Sequence, residues 1–113
     1  MLAAMSRRGL ALAAGAVLSL YAGGGLAQQP AARITIDNFA FTPPTLTVAA
    51  GTQVVWVNKD EEPHTVMSAD SQTPFKSPAL DTDDKFAFTF TKPGTYKYFC
   101  TIHSHMVGTV VVQ

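Results

Sequence analysis

Within the seven residues Cys100-Thr101-Ile102-His103-Ser104-His105-Met106 the chain places a thiol, two imidazoles and a thioether, and a third imidazole, His64, stands far upstream in Glu62-Pro63-His64-Thr65-Val66. Thiolate, imidazole and thioether together form a soft donor set suited to copper. Two His and one Cys in a trigonal plane, with a distant axial Met, define the blue-copper arrangement. Taken singly, each residue has an ordinary explanation: a lone Cys is most often a small buried apolar side chain, Met106 alone would fill core space, and His64 alone would be a turn histidine. Taken together, those explanations do not account for the only thiol, all three histidines and a Met falling at ligand spacing.

Two other chemistries are weaker fits. Zinc could use the same ligands, but a thioether is a poor zinc partner and one thiolate cannot build a thiolate-rich site. A cysteine hydrolase using Cys100 and His103 would need a substrate cleft that so short a chain has little room for, and the spacing after a strand end is awkward for a nucleophile and its base.

The chain has 113 residues, 47% of them hydrophobic, and one Cys. That length supports one small domain and not a multi-domain enzyme. A single Cys excludes an internal disulfide framework. Eight basic and eight acidic residues without a basic cluster argue against a nucleic-acid binder.

Residues 1–27 read as a secretory signal: Arg7 and Arg8 are their only charges, Gly9 to Leu26 is rich in Ala, Leu and Gly, and Gly25-Leu26-Ala27 precedes a cleavage point. A retained membrane anchor ranks second, because Gly15, Gly23, Gly24 and Gly25 weaken a helix and no basic stop-transfer cluster follows. Ser6-Arg7-Arg8 with Leu10 loosely matches a twin-arginine start, and a Sec signal fits equally well. The expected working domain is therefore 28–113, exported to the periplasm, with six basic and eight acidic residues and a formal charge of −2. In an oxidising compartment its free thiol needs burial or a metal.

The elements that must position these donors are strands. From Arg33 onward apolar residues recur with period two. Ile34 and Ile36 alternate with Thr35 and Asp37, Leu46 and Val48 with Thr45 and Thr47, and Phe86, Phe88 and Phe90 with Ala87, Thr89 and Thr91. Val54 to Asn58 is a denser strand around Trp56, Thr95 to Cys100 follows the Lys92-Pro93-Gly94 turn, and Val107 to Val112 closes the chain. The pattern predicts an all-β, Greek-key β-sandwich of about seven to eight strands. Ala69 to Asp84 reads as a long loop crossing between sheets. Cys100 ends a strand, so a tight loop can curl His103 and Met106 back toward one metal while His64 arrives from elsewhere in the sandwich. Tyr96 and Tyr98 share the strand face of Cys100 and should be core, with Lys97 and Phe99 opposite.

Two stretches resemble the cupredoxins, and in particular their amicyanin and plastocyanin branch. One is Pro44-x-Leu46-x-Val48-x-x-Gly51-x-x-Val54-x-Trp56-x-Asn58-x-Asp60-x-x-Pro63-His64-Thr65-Val66; the other is Gly94-x-Tyr96-x-Tyr98-x-Cys100-x-x-His103-x-x-Met106-x-Gly108. The short His103-to-Met106 spacing is that of amicyanin. The resemblance implies a type 1 copper held by His64, Cys100, His103 and axial Met106, and a non-enzymatic, monomeric carrier of single electrons. Its redox partners would be a c-type cytochrome or a periplasmic dehydrogenase. It further implies that His103 emerges through an apolar patch, for which Pro63, Met67, Ile102 and Met106 are candidates, each of which could equally be core.

Three features depart from the family pattern or exceed it. Thr65 stands where many relatives have Asn, which leaves the bracing of the ligand loop open, although the Thr65 N–H can still donate to the Cys100 sulfur. His105 is an extra imidazole, favoured as a solvent-exposed spectator over a competing ligand or a second weak copper contact, since adjacent residues on a tight loop seldom point at the same ion. Asp60-Glu61-Glu62 could steer a basic partner, or be only a solvated loop. The alternative function is a periplasmic copper carrier or buffer without redox turnover, with Met67, His105 and Met106 as extra soft contacts.

Overall fold

A computed structural model describes residues 31–103 and 105–113 of the chain; the expected leader, 1–27, lies outside the described residues. Eight strands follow one another: β1 Ala32–Asp37, β2 Ala40–Thr42, β3 Thr45–Val48, β4 Thr52–Asn58, β5 Met67–Ser68, β6 Lys85–Phe90, β7 Gly94–Phe99 and β8 Val107–Val112. They form two four-stranded sheets, ordered β2-β1-β4-β6 and β3-β8-β7-β5. The expected all-β sandwich is present, and no helix occurs among the described residues.

The two-residue period explains which faces meet. In β1, Ile34 and Ile36 are fully buried while Arg33 and Asp37 face solvent. In β6, Phe86, Phe88 and Phe90 turn inward and Lys85, Ala87 and Thr89 outward. β4 is buried at Val54, Trp56, Val57 and Asn58, because β1 and β6 flank it on both edges. Trp56 sits at the centre of the core, with ring contacts to Phe75, Phe86, Phe90 and Tyr98.

Two parallel ladders set the shape. β1 runs parallel to β4, pairing Ile36 with Asn58, and β3 runs parallel to β8, pairing Leu46 with Val110. The first ladder carries the β1–β2 turn to the end of the sandwich where the loop after β4 begins. Residues near 38 and residues near 60 therefore become neighbours.

The long stretch 69–84 does cross from one sheet to the other, as the sequence suggests, but it also contributes core. Phe75 and Leu80 are buried, each a gain of about 1.5–3 kcal/mol. Isolated bridges pair Lys76 with Met67 and Leu80 with His64. Ser77 is buried too, taking the Val66 N–H on its hydroxyl. On the opposite sheet Gly108 faces Tyr98 across the β7–β8 ladder, and the Tyr98 ring occupies the space a side chain at 108 would need.

Candidate metal centre

Each candidate donor is held by backbone geometry before its side chain matters. His64 exchanges two hydrogen bonds with Leu80: its N–H donates to the Leu80 carbonyl (3.1 Å) and its carbonyl accepts the Leu80 N–H (2.7 Å). Fully buried Asn58 shapes the approach to it, donating through Nδ2 to the carbonyls of Glu62 and Leu80 and accepting the Asp60 N–H on Oδ1. Cys100 lies just past the end of β7. The loop that follows closes by two bonds, Cys100 N–H to the Met106 carbonyl and Met106 N–H to the His103 carbonyl, each 3.1 Å. β8 then starts at Val107.

These constraints aim three donors at one point. The Cys100 sulfur lies 3.9 Å from Nδ1 of His64 and 3.7 Å from Nδ1 of His103, and one donor atom from each of the three lies within 4.8 Å of the others. His64, Cys100 and Met106 are buried, and His103 is half-buried. The cluster holds no carboxylate. One thiol and two imidazoles facing inward, with a thioether-bearing residue buried at the end of the same loop, fit copper better than a hard cation. The thiol is prepared for metal: burial alone would raise its pKa, but N–H groups of Thr65 and Ile102 and the two imidazoles outweigh that, holding it at about 6 instead of the ordinary 9.0.

Thr65 braces the site in two ways. Its backbone N–H donates to the Cys100 sulfur at 3.4 Å. Its Oγ1 accepts the Thr101 N–H at 2.7 Å and shares a 2.8 Å hydrogen bond with the Thr101 hydroxyl. The loop bracing left open by the absence of Asn is thus carried by a hydroxyl.

Asp60 reaches His64 from behind. Its Oδ2 lies 2.8 Å from Nε2 of His64, and its two oxygens also accept the N–H groups of Asn38 and Phe39. Burial by itself would raise the Asp60 pKa, yet the Phe39 and Asn38 N–H groups, followed by His64, hold it below the usual carboxylate range. An ionised carboxylate only accepts, so Nε2 of His64 carries a proton and donates it to Asp60, which leaves Nδ1 as the ring nitrogen facing the Cys100 sulfur.

The surface over the site divides the four candidate patch residues. Ile102 is exposed, as expected for a patch residue, and so is Pro63, whereas Met67 is half-buried and Met106 is buried. His105 is exposed, and it lines a shallow hollow with Phe39, Ile102, His103 and Met106. Phe39 is the residue that sequence reasoning missed. Its ring, 48% exposed, stands edge-on to both His64 (5.4 Å) and His103 (5.0 Å). The only local signal was a large aromatic at a turn between two short strands, which does not say what the turn packs against.

The family model described as a cupredoxin-like domain matches residues 10–112. An amicyanin from Paracoccus versutus is 34% identical over 83 residues, covering 71% of this chain; the chain spans only 63% of that relative's length. Amicyanin-alpha from Methylorubrum extorquens is 33% identical over 106 residues, covering 91% of this chain and 86% of its own. Among solved structures, a purple cupredoxin from Nitrosopumilus maritimus superposes with a TM-score of 0.68 at 37% identity, over 73% of this chain and 99% of that one.

Proposed function

The chain belongs to the cupredoxin-like family, and from that premise we propose that it is an exported blue copper protein that carries single electrons between redox partners. The observation that carries this reading is the convergence of Nδ1 of His64 and Nδ1 of His103 on the Cys100 sulfur, with no carboxylate in the cluster. These three residues would hold the metal, and Met106 would supply a thioether. Copper held there would supply one-electron cycling between Cu(I) and Cu(II).

The protein's own residues fit that task. Two backbone bonds close the ligand loop and Thr65 ties it to the neighbouring segment, so little rearranges when charge changes. Rigid ligation keeps reorganisation small. With neutral imidazoles and one thiolate the site has a formal charge of 0 with Cu(I) and +1 with Cu(II), so its burial favours the reduced state. His103, half-buried beneath exposed Ile102, is the ligand nearest to a docking partner. Electrons would pass through it to a c-type cytochrome or a periplasmic dehydrogenase. No catalytic step is assigned to the chain.

The location belongs to the same reading. Cleavage after Ala27 would release residues 28–113 into the periplasm as a monomer, and no helix among the described residues is long and apolar enough to cross a membrane. The test is to load the mature domain with Cu(II) and record its visible spectrum. An intense thiolate-to-copper band that vanishes in Cys100→Ser is expected; a colourless loaded protein overturns the reading.

A further inference from the structure

Asp60 opens an acidic run, yet it is built into the structure quite differently from its neighbours. Glu61 and Glu62 are exposed, whereas the Asp60 side chain is 11% exposed and every part of the residue is engaged. Oδ1 accepts the Asn38 N–H at 2.6 Å; Oδ2 accepts the Phe39 N–H at 2.9 Å and the His64 Nε2–H at 2.8 Å. Its main chain is tied down as well, the N–H to Asn58 Oδ1 at 2.9 Å and the carbonyl to the Thr82 hydroxyl at 2.7 Å.

The two amides that converge on this carboxylate come from a strained turn. Asn38 and Phe39 have φ of 53° and 57°, the left-handed region that a bulky aromatic rarely adopts. Successive N–H groups in such a turn form a concave nest for an anion, and the conformation persists only where its surroundings enforce it. Asp37 and Ala40 pair on either side, so Asn38 and Phe39 form a two-residue hairpin loop, and the Asp60 carboxylate accepts both amides that this loop presents. The same conformation lays the Phe39 ring edge-on against both imidazoles, at 85° to His64 and 83° to His103.

We propose that Asp60 is the positioning residue of the metal centre: its single carboxylate fixes the ring orientation and proton position of His64 and clamps the Asn38–Phe39 turn so that Phe39 covers both imidazoles. The inference rests on the copper reading above. A carboxylate hydrogen-bonded to a ligand imidazole strengthens that imidazole as a donor. It also places a negative charge beside the site, which favours the more positive Cu(II) form. Asp60 thus opposes the burial that favours Cu(I), and sets the balance between them. Glu61, one residue away and exposed, carries the same charge without any of these bonds.

The test compares Asp60→Asn with Glu61→Gln, which remove equal charge from adjacent positions. In the copper-loaded protein, Asp60→Asn should keep the thiolate-to-copper band and shift the Cu(I)/Cu(II) equilibrium at least tenfold toward Cu(I), which is 59 mV for one electron. Glu61→Gln should shift it less than threefold. Equal shifts in the two variants, or none in Asp60→Asn, overturn the proposal. In the metal-free protein, proton NMR should show a protected His64 Nε2–H and contacts from the Phe39 ring to both histidines, all lost in Asp60→Ala, which leaves no acceptor there. Their persistence in that variant also overturns it. The metal-free measurement decides the matter if Asp60→Asn fails to load copper, and a wild-type protein without the band counts against the copper reading, not against the role of Asp60 in the apoprotein.

Discussion

Thr65 and Cys100 are joined twice over: the Thr65 N–H points at the Cys100 sulfur from 3.4 Å, and the Thr65 hydroxyl, 3.7 Å from that sulfur, holds the N–H of the next residue, Thr101. One residue therefore both lowers the energy of the thiolate and anchors the start of the ligand loop. Thr65→Val removes the hydroxyl and keeps the backbone donor. It should cost about 1–3 kcal/mol, because the Thr101 N–H loses its partner. Denaturant unfolding of the metal-free domain measures this, and an unchanged midpoint would mean the loop is braced elsewhere.

The extra imidazole should be dispensable. His105 is exposed while Met106 is buried at the close of the loop. His105→Ala should leave the thiolate-to-copper band in place, and Met106→Ala should alter it. Loss of colour in His105→Ala alone would reverse the assignment of the two residues.

Exposed Ile102, beside His103 on the shallow hollow, should govern docking. Ile102→Lys places a charge where an apolar partner surface must be desolvated, a cost on the order of 1.4 kcal/mol or tenfold in rate. Stopped-flow electron exchange with a c-type cytochrome measures it, with the spectrum as a control for an intact site. Unchanged rates would remove this patch from the electron route.

Gly108 should tolerate no side chain. A Cβ there would overlap the Tyr98 ring, which is buried against Trp56 and Phe41 and has nowhere to move. Gly108→Ala should cost about 3 kcal/mol, the upper end for overpacking. At roughly 4–8 °C per kcal/mol for a domain this size, the thermal midpoint should fall by more than about 10 °C.

Tyr98 makes the domain sensitive to alkali. Its hydroxyl is buried with no hydrogen-bond partner among the described residues, and burial pushes its pKa from 10.0 up to about 12, with Trp56 opposing. The folded state therefore keeps the proton between pH 10 and about 12 while the unfolded chain releases it. Stability is full below pH 10 and is lost as pH rises through that window, with a slope of about 1.4 kcal/mol per pH unit. Tyr98→Phe should remove that slope and leave stability at pH 7 nearly unchanged, since the deleted hydroxyl had no partner. Urea midpoints from pH 9 to 12 for the two proteins distinguish the outcomes, and parallel curves would refute the assignment.

Much of this protein is local in origin, and that part was legible in the chain. Alternation at Ile34/Ile36 and Phe86/Phe88/Phe90 names strands and their inward faces, because a pleated backbone turns every second side chain the same way. Cys100, His103 and Met106 sit close enough in sequence for one loop to gather them, so their chemistry was readable before their geometry. The long stretch 69–84 was legible as a crossover but not as core. Phe75 and Leu80 are isolated apolar residues among polar ones, and only their partners across the sandwich explain their burial.

What the tertiary structure alone decided is which distant residues meet. The short strand β2 exists through its antiparallel pairing with β1, and the parallel β1–β4 ladder carries residue 39 at the turn between them to within ring contact of His64 and His103. The same ladder separates Asp60 from Glu61 and Glu62, three acidic residues that are alike in sequence and unlike in space. The antiparallel β5–β7 pairing of Met67 with Phe99 likewise brings Thr65 opposite Thr101, so that it braces the loop through a contact 36 residues away in the chain. Donor types and strand periods are properties of neighbouring residues, and a sequence displays them directly. A hydrogen bond between remote segments depends on register and sheet order, which are settled only when the two sheets close on a common core.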